Sequence, residues 1–206
     1  METTGSPAAD DVNREAPSRP PLSEMNGVSM QTATHPAGPG AKPLPSPHDY
    51  PRAVVAGEVV ANNRIRTACE RHLHHMTLDD RYWDEAEWEA FASTVAELRV
   101  VGSHQTAGQP LQLMPWQCWV FGSILCWRWK AGDRAGGRVM SSAWVEIARG
   151  SGKTTGAAAL FLHLARRYPD AEFVCLANTL QQAAQAYRTI GRFAVSAWGD
   201  DQDEDP

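Results

Sequence analysis

Apolar residues recur at helical spacing in the middle of the chain. Four of them share one helix face, at positions i, i+3, i+7 and i+10: Trp88, Phe91, Val95 and Leu98. Asp84 lies just before this face, where its carboxylate can cap the first turn, and Glu87 is expected to reach back as in a capping box. The pattern predicts an amphipathic helix that begins after Asp84 and buries one face.

Other helices are predicted on both sides of this one. Residues 53–61 and 64–76 predict two shorter helices, separated by a pair of asparagines. Residues 100–110 contain two glycines and a proline, which predicts a turn or small hairpin. Pro115 suits the first turn of a helix, where no N–H is needed, and the apolar residues at 116–130 predict a helix that is buried almost all round.

The second half of the chain alternates between strand-like and helix-like segments. Residues 139–148 predict a strand, 154–167 a helix, 172–177 a short buried strand and 179–195 a further helix. Strand, loop, helix and strand in this order are typical of a parallel sheet. The predicted fold class is therefore α/β, with the beginning of a doubly wound parallel sheet after an α-helical amino-terminal region.

The two ends of the chain differ in composition from the segments between them. Residues 1–50 are rich in proline and small residues and lack periodic apolar positions, so we expect a disordered tail. Residues 200–206 form an acidic tail. The predicted organisation is a tail at 1–50, a helical region at 51–110, an α/β core at 111–199 and the acidic tail.

Composition and charge exclude few classes of protein. The 206 residues carry a formal net charge of −5, and most of it lies in the acidic tail, so charge argues neither for nor against nucleic acid. The chain has no apolar run long enough to cross a membrane and no signal-like segment near its start, which favours a cytoplasmic protein. Cys118 and Cys126 are expected to be buried thiols in a reducing compartment.

Residues 147–155 contain the strongest chemical motif of the chain. They read Ile-Ala-Arg-Gly-Ser-Gly-Lys-Thr-Thr and match the second half of the P-loop pattern G-x-x-x-x-G-K-[ST], with Ile147 in place of its first glycine. Backbone N–H groups would cradle the β-phosphate of a nucleotide at the start of the following helix. Lys153 would contact the β- and γ-phosphates, and the Thr154 hydroxyl would ligate Mg²⁺. The alternative is a glycine-containing turn with an incidental lysine.

The residues predicted to bind the nucleotide in this P-loop are Gly150, Ser151, Gly152, Lys153, Thr154 and Thr155.

The motif and its surroundings resemble a known family, the terminase large subunits that package the DNA of tailed phages. In that family the P-loop commonly has a basic residue ahead of Gly-Lys-Ser/Thr and no leading glycine, as Arg149 and Ile147 have here. The segment at 113–117, Leu-Met-Pro-Trp-Gln, resembles the family's adenine-recognition segment. Residues 64–73 are similar to its amino-terminal helical entry, and residues 177–183 to the strand-to-helix step after the P-loop helix. These motifs occur in the family's order.

The resemblance implies roles for three further residues. Gln117 would recognise the adenine, since a side-chain amide can accept from N6–H and donate to N7; an ordinary glutamine in a first helical turn is the alternative. Trp116 would stack on the base or lie in the core. Arg149 would be catalytic together with Lys153, by stabilising charge at the γ-phosphate; a solvated or salt-bridged loop arginine is the alternative.

The function implied by the resemblance is binding of ATP, with Mg²⁺, in the amino-terminal ATPase portion of a terminase large subunit. In the complete motor, which can be an oligomer, hydrolysis would drive viral double-stranded DNA into a procapsid in the cytoplasm of a bacterial host. The terminase small subunit and the portal would be its partners.

The family places an acidic pair, which holds Mg²⁺ and orients water, well beyond the segment at 172–177, and a nuclease domain beyond that. Neither is found in the 206 residues, so we expect a truncated or split amino-terminal piece that does not hydrolyse ATP alone. Two alternatives stay open: a helicase-like or other P-loop ATPase, and a non-catalytic remnant or interaction module.

Histidines cluster in one predicted helix, where His72, His74 and His75 follow Arg71. His72 and His75 lie at i and i+3 but have no third ligand nearby in the sequence. A helix surface with one buried imidazole is therefore favoured over a metal site.

Overall fold

The computed structural model describes residues 42–101 and 107–199. They form six α-helices and two short strands. In chain order the elements are α1 (Asp49–Ala56), α2 (Asn63–His75), β1 (Arg81–Trp83), α3 (Glu85–Glu97), α4 (Pro115–Cys126), β2 (Trp127–Trp129), α5 (Lys153–Arg167) and α6 (Leu180–Trp198). The acidic tail and most of the tail predicted at 1–50 lie outside the described residues.

The first helix starts earlier than its apolar pattern predicts. α1 begins at Asp49, inside the region expected to be disordered, and ends before Gly57 instead of continuing to residue 61. Gly57 has a φ of +83°, which a glycine adopts at little cost, and its N–H donates to the Val54 carbonyl at 3.2 Å. The left-handed glycine therefore stops the helix at this point.

Helix α3 confirms the predicted apolar face and one of the two predicted capping contacts. Its four predicted apolar positions are all buried, and the Asp84 carboxylate accepts from the Glu87 N–H at 3.1 Å. The return contact expected from the Glu87 side chain is wrong, because that carboxylate binds His163 and Arg128 instead.

Glu87 lies at the centre of a buried polar network that joins α3, β2 and α5. Its two oxygens contact His163 Nε2 at 3.0 Å and a terminal nitrogen of Arg128 at 3.2 Å. Burial alone would raise the pKa of Glu87, but the hydrogen bond from His163 and the charges of Arg128 and Arg167 outweigh it, so the pKa is lowered. The ionised carboxylate therefore connects the helical region to the helix that follows the P-loop.

The helix predicted over 116–130 ends four residues early. α4 stops at Cys126, and Trp127–Trp129 forms β2, which pairs antiparallel with β1 so that Trp83 lies opposite Trp127. The side chains of β2 alternate in direction, which explains why these residues form a strand and not the predicted end of a helix. Trp127 is buried against the Trp83 ring, while Arg128 is directed to Asp84 and Glu87. A helical continuation would lose this pairing.

The main apolar core lies among α3, α4, α5 and α6. Its fully buried members include Phe91 from α3, Leu125 from α4, Ala159 from α5 and Phe193 from α6. Cys118 and Cys126 are also buried there, and burial raises the pKa of both thiols, for Cys118 to about 12. The prediction of two buried thiols is confirmed.

The two segments predicted as parallel strands have no strand pairing among the described residues. Within 139–148 and 172–177 the backbone is irregular, and Trp144, Val174 and Leu176 are exposed by 91%, 69% and 89%. Among the described residues only the start of the first segment contacts a strand: the Val139 N–H donates to the Trp127 carbonyl of β2 at 2.8 Å, beside a single antiparallel bridge between Arg128 and Arg138. A strand needs a continuous ladder of such hydrogen bonds, which neither segment has. The parallel sheet therefore stays a prediction.

None of the helices in the two described ranges combines the length and the apolar character that a membrane crossing requires.

His72 is the one buried histidine of α2, as the sequence indicates. Its Nε2 lies 2.9 Å from His48 Nδ1, and its Nδ1 lies 3.1 Å from Ser123 Oγ, so it links α2 to α4. Burial, helped by the positive charges of His48 and His75, lowers the pKa of His72 to about 3.

We predict that this histidine makes folding stability depend on pH. The unfolded chain protonates His72 near pH 6.5, whereas the folded protein keeps it neutral to about pH 3. The contribution of neutral His72 to the free energy of unfolding is therefore complete above pH 6.5. It is lost as the pH falls below 6.5, by up to about 1.4 kcal/mol per pH unit. Urea unfolding between pH 7.5 and 5 measures this slope.

The substitution His72→Asn should flatten that slope, whatever it does to stability at pH 7.5. His74→Asn is the matched control, because His74 is exposed on the same helix. An unchanged slope in His72→Asn would contradict the assignment.

Candidate functional site: the P-loop and helix α4

The loop at 148–152 has the backbone of a tight turn into α5. Gly150 and Gly152 have φ angles of +85° and +75°, in the left-handed region that favours glycine. Gly152 caps α5, and its carbonyl accepts from the Gly156 N–H at 2.9 Å. The helix starts at Lys153, one residue before the predicted start.

Lys153 folds back across this loop. Its ammonium donates to the carbonyl of Ile147 and, at 2.8 Å, to that of Ala148. The Lys153 side chain thus bridges from the end of the loop back to the residues where the loop begins. A lysine in this position can exchange two carbonyl oxygens for phosphate oxygens without moving its backbone.

The start of α5 suits an anion. Its first turn contains no acidic residue, and the N–H groups there have no partner within a regular helix. Arg149 is exposed within the loop and makes no ion pair with any residue in 42–101 or 107–199. Lys153 and Arg149 therefore add two positive charges to the positive end of the helix.

Helix α4 packs directly against the loop and the first turn of α5. A Cβ added at Gly152 would lie 3.0 Å from Gln117 Nε2, and one added at Gly156 would lie 2.5 Å from Phe121 Cζ. Gln117 and Phe121 are four residues apart on α4, as Gly152 and Gly156 are at the start of α5. Two neighbouring side chains of one helix thus fit over two glycines of the other.

Gln117 uses both ends of its amide inside the protein. The side chain is 6% exposed. Its Oε1 accepts from the Met114 N–H at 2.8 Å, and its Nε2 lies 3.4 Å from the Ser151 carbonyl. The glutamine therefore holds the start of α4 and touches the loop, and its role towards adenine stays a prediction.

The other predicted residues lie around the same loop. Ser151 and Thr155 are half-buried, and Thr154 is exposed on the first turn of α5. Its hydroxyl is the kind of oxygen ligand that Mg²⁺ prefers, with water in the remaining positions. In the part of the chain that the structure describes, no three His, Cys, Asp or Glu side chains lie together as a metal site.

The chain matches no protein-family model, and no curated protein or solved structure is significantly similar to it. The assignment of a nucleotide site therefore rests on the loop itself and its contacts.

Sequence reasoning missed Phe121 and Gly156 as parts of this site. The sequence does contain two pairs of residues that are each four positions apart: Gln117 with Phe121, and Gly152 with Gly156. Nothing in the sequence shows that these two pairs face each other, because the contact joins segments more than thirty positions apart.

We predict that Gly156→Ala destabilises the wild type but stabilises a Phe121→Leu variant. In the wild type the added methyl meets the Phe121 ring, an overpacking that costs about 1–3 kcal/mol and outweighs the roughly 1 kcal/mol that alanine gains in a helix. In a Phe121→Leu background the same change should stabilise the protein. Denaturant unfolding of the four variants gives the coupling free energy.

Gly191→Ala on α6 is the matched control, because a Cβ there meets nothing within 4 Å. It should stabilise the protein by about 0.5–1 kcal/mol in both backgrounds. Equal effects of Gly156→Ala in the two backgrounds would show that Phe121 does not press on this glycine.

Proposed function

We propose that the chain is the nucleotide-binding, amino-terminal part of a terminase large subunit, and that it binds ATP through the loop at 148–152 and the first turn of α5. The observation that carries the proposal is the closed loop, in which two left-handed glycines precede the free end of α5 and Lys153 reaches back across them. The sequence resemblance supports the choice of family.

Two sets of donors at the loop support the proposed phosphate binding. The N–H groups at the start of α5 donate to phosphate oxygens, and the Lys153 ammonium leaves the carbonyls of Ile147 and Ala148 to bind them as well. Mg²⁺, held by the Thr154 hydroxyl, would neutralise charge on the phosphates. Arg149 is free to move to the γ-phosphate because no described carboxylate holds it.

The remaining parts of the proposal rest on the resemblance alone. They are a parallel P-loop sheet, recognition of adenine by Gln117, hydrolysis of ATP in a complete and possibly oligomeric motor, and packaging of viral double-stranded DNA. The terminase small subunit and the portal would be partners, in the cytoplasm of a bacterial host. An ATPase of helicase type would bind ATP through the same loop.

We predict that Lys153→Ala weakens the binding of ATP with Mg²⁺ by about ten- to a hundredfold. The reason is the loss of charge-assisted hydrogen bonds to phosphate, each worth about 1.5–3 kcal/mol. Titration calorimetry measures the affinity. Lys130→Ala is the matched control, since Lys130 is exposed in the loop after β2, and it should bind ATP as the wild type does.

Equal affinity of wild type and Lys153→Ala would reject the loop as a phosphate site. Binding of ATP that is lost in Lys153→Ala and kept in Lys130→Ala would support it.

A further inference from the structure

An open groove runs along the exposed face of α6, on the side away from the P-loop residues. Its volume is about 720 Å³. One wall is α6 at 187–196, and the facing wall consists of residues 99–101 and 107–108. The Gly108 N–H donates to the Val100 carbonyl at 2.9 Å, which holds the facing wall together. A Cβ added at Gly191 would meet nothing within 4 Å, so the groove is open along the helix.

Three arginines line this groove, and no described carboxylate does. Arg188 and Arg192 lie one turn apart on the exposed face of α6, and Arg99 lies on the facing wall. None of the three makes an ion pair with any residue in 42–101 or 107–199. Like charges four positions apart on a helix repel each other. An anionic occupant of the groove would remove this repulsion.

The acidic tail at 200–206 supplies negative charge next to the same helix. It follows the carboxyl end of α6, which is the negative end of the helix dipole and has no basic residue in its last turn. Negative charge at that end is unfavourable unless positive charge lies close by. Arg188 and Arg192 are the arginines that precede the tail most closely in the sequence. The acidic residues of the tail are Asp200, Asp201, Asp203, Glu204 and Asp205.

The chain leaves α6 beside the groove. The Gly199 N–H donates to the Val195 carbonyl at 2.8 Å, and a Cβ added at Gly199 would lie 3.1 Å from Val195 Cγ1. Val195 itself lines the groove, so the backbone at Gly199 passes close to its end. Along the helix axis, Arg192 lies about 10 Å and Arg188 about 16 Å before Gly199. Residues 200–205 can span about 20 Å when extended, which is enough to reach both arginines.

We propose that the acidic tail binds the arginine-lined groove of its own chain. Its carboxylates pair with Arg188 and Arg192, and Arg99 adds positive charge from the facing wall. Single exposed ion pairs contribute little to stability. A tethered segment, however, acts at an effective concentration on the order of millimolar, so several weak pairs suffice to hold it. The inference does not depend on the nucleotide proposal, because no residue of the loop at 148–152 lines the groove.

Paramagnetic broadening in NMR spectra tests this assignment on the full chain. A nitroxide is attached at Asp203→Cys, and Cys175→Ser removes the exposed thiol. The amides of Val100 and Gly108 report on the contact, because they lie on the facing wall and far from the label in the sequence. Both amides should lose signal intensity relative to the same chain with the nitroxide reduced. Unchanged intensity at both amides would overturn the proposal.

Removal of the arginine charges tests what holds the tail. In the labelled chain, Arg188→Gln combined with Arg192→Gln should restore the intensity of both amides. Arg64→Gln combined with Arg71→Gln is the matched control, because it removes two exposed arginines of α2 that do not line the groove. The control should leave the broadening as it is. Broadening that persists without Arg188 and Arg192, or that disappears equally in the control, would contradict the assignment.

Salt and mixing complete the test without any change to the groove. Sodium chloride at about 1 M, where the Debye length is about 3 Å, should restore the intensity, and persistent broadening there would contradict an electrostatic contact. A nitroxide-labelled chain is also mixed with an isotope-labelled chain that carries no nitroxide. Unchanged amides of Val100 and Gly108 in the second chain support binding within one chain. Broadening there would assign the groove to the tail of a second copy and reject the proposal.

Discussion

The close contact of α4 with the start of α5 is the constraint on which the candidate site depends. Gln117 and Phe121 lie directly over Gly152 and Gly156, at distances that leave no room for a Cβ without movement of a neighbour. Because Gly152 is also the residue that turns the chain into α5, the position of α4 determines where the free N–H groups of that helix lie. The phosphate site that we propose would therefore depend on helix packing as well as on the sequence of the loop.

The buried Glu87 network fixes the other end of the same helix. His163 lies ten residues after Lys153 on α5 and is held by Glu87 of α3, while Arg128 of β2 binds the second oxygen of that carboxylate. Removing one member of such a network leaves a buried charge without its partner, which is strongly destabilising. α5 is thus positioned by α4 at its start and by α3 and β2 further along.

Local features of the chain were readable from its sequence, and distant pairings were not. The apolar face of α3, the Asp84 cap and the helix after Gly-Lys-Thr depend on residues within a few positions of one another. The neighbouring residues predict a capping-box contact for Glu87, whereas its actual partner His163 lies 76 positions away, where no local pattern indicates it. The apolar pattern likewise predicts a helix at Trp127–Trp129, because the strand partner at Arg81–Trp83 is distant in the sequence.

A crystal structure of the chain with ADP and Mg²⁺ tests most directly our proposal that Lys153 holds the loop in a form ready to receive phosphate. The β-phosphate should lie at the start of α5, with the Lys153 ammonium on its oxygens and withdrawn from the carbonyls of Ile147 and Ala148. Gln117 should keep its contact with the loop. A nucleotide bound elsewhere, with Lys153 still on those two carbonyls, would contradict the claim.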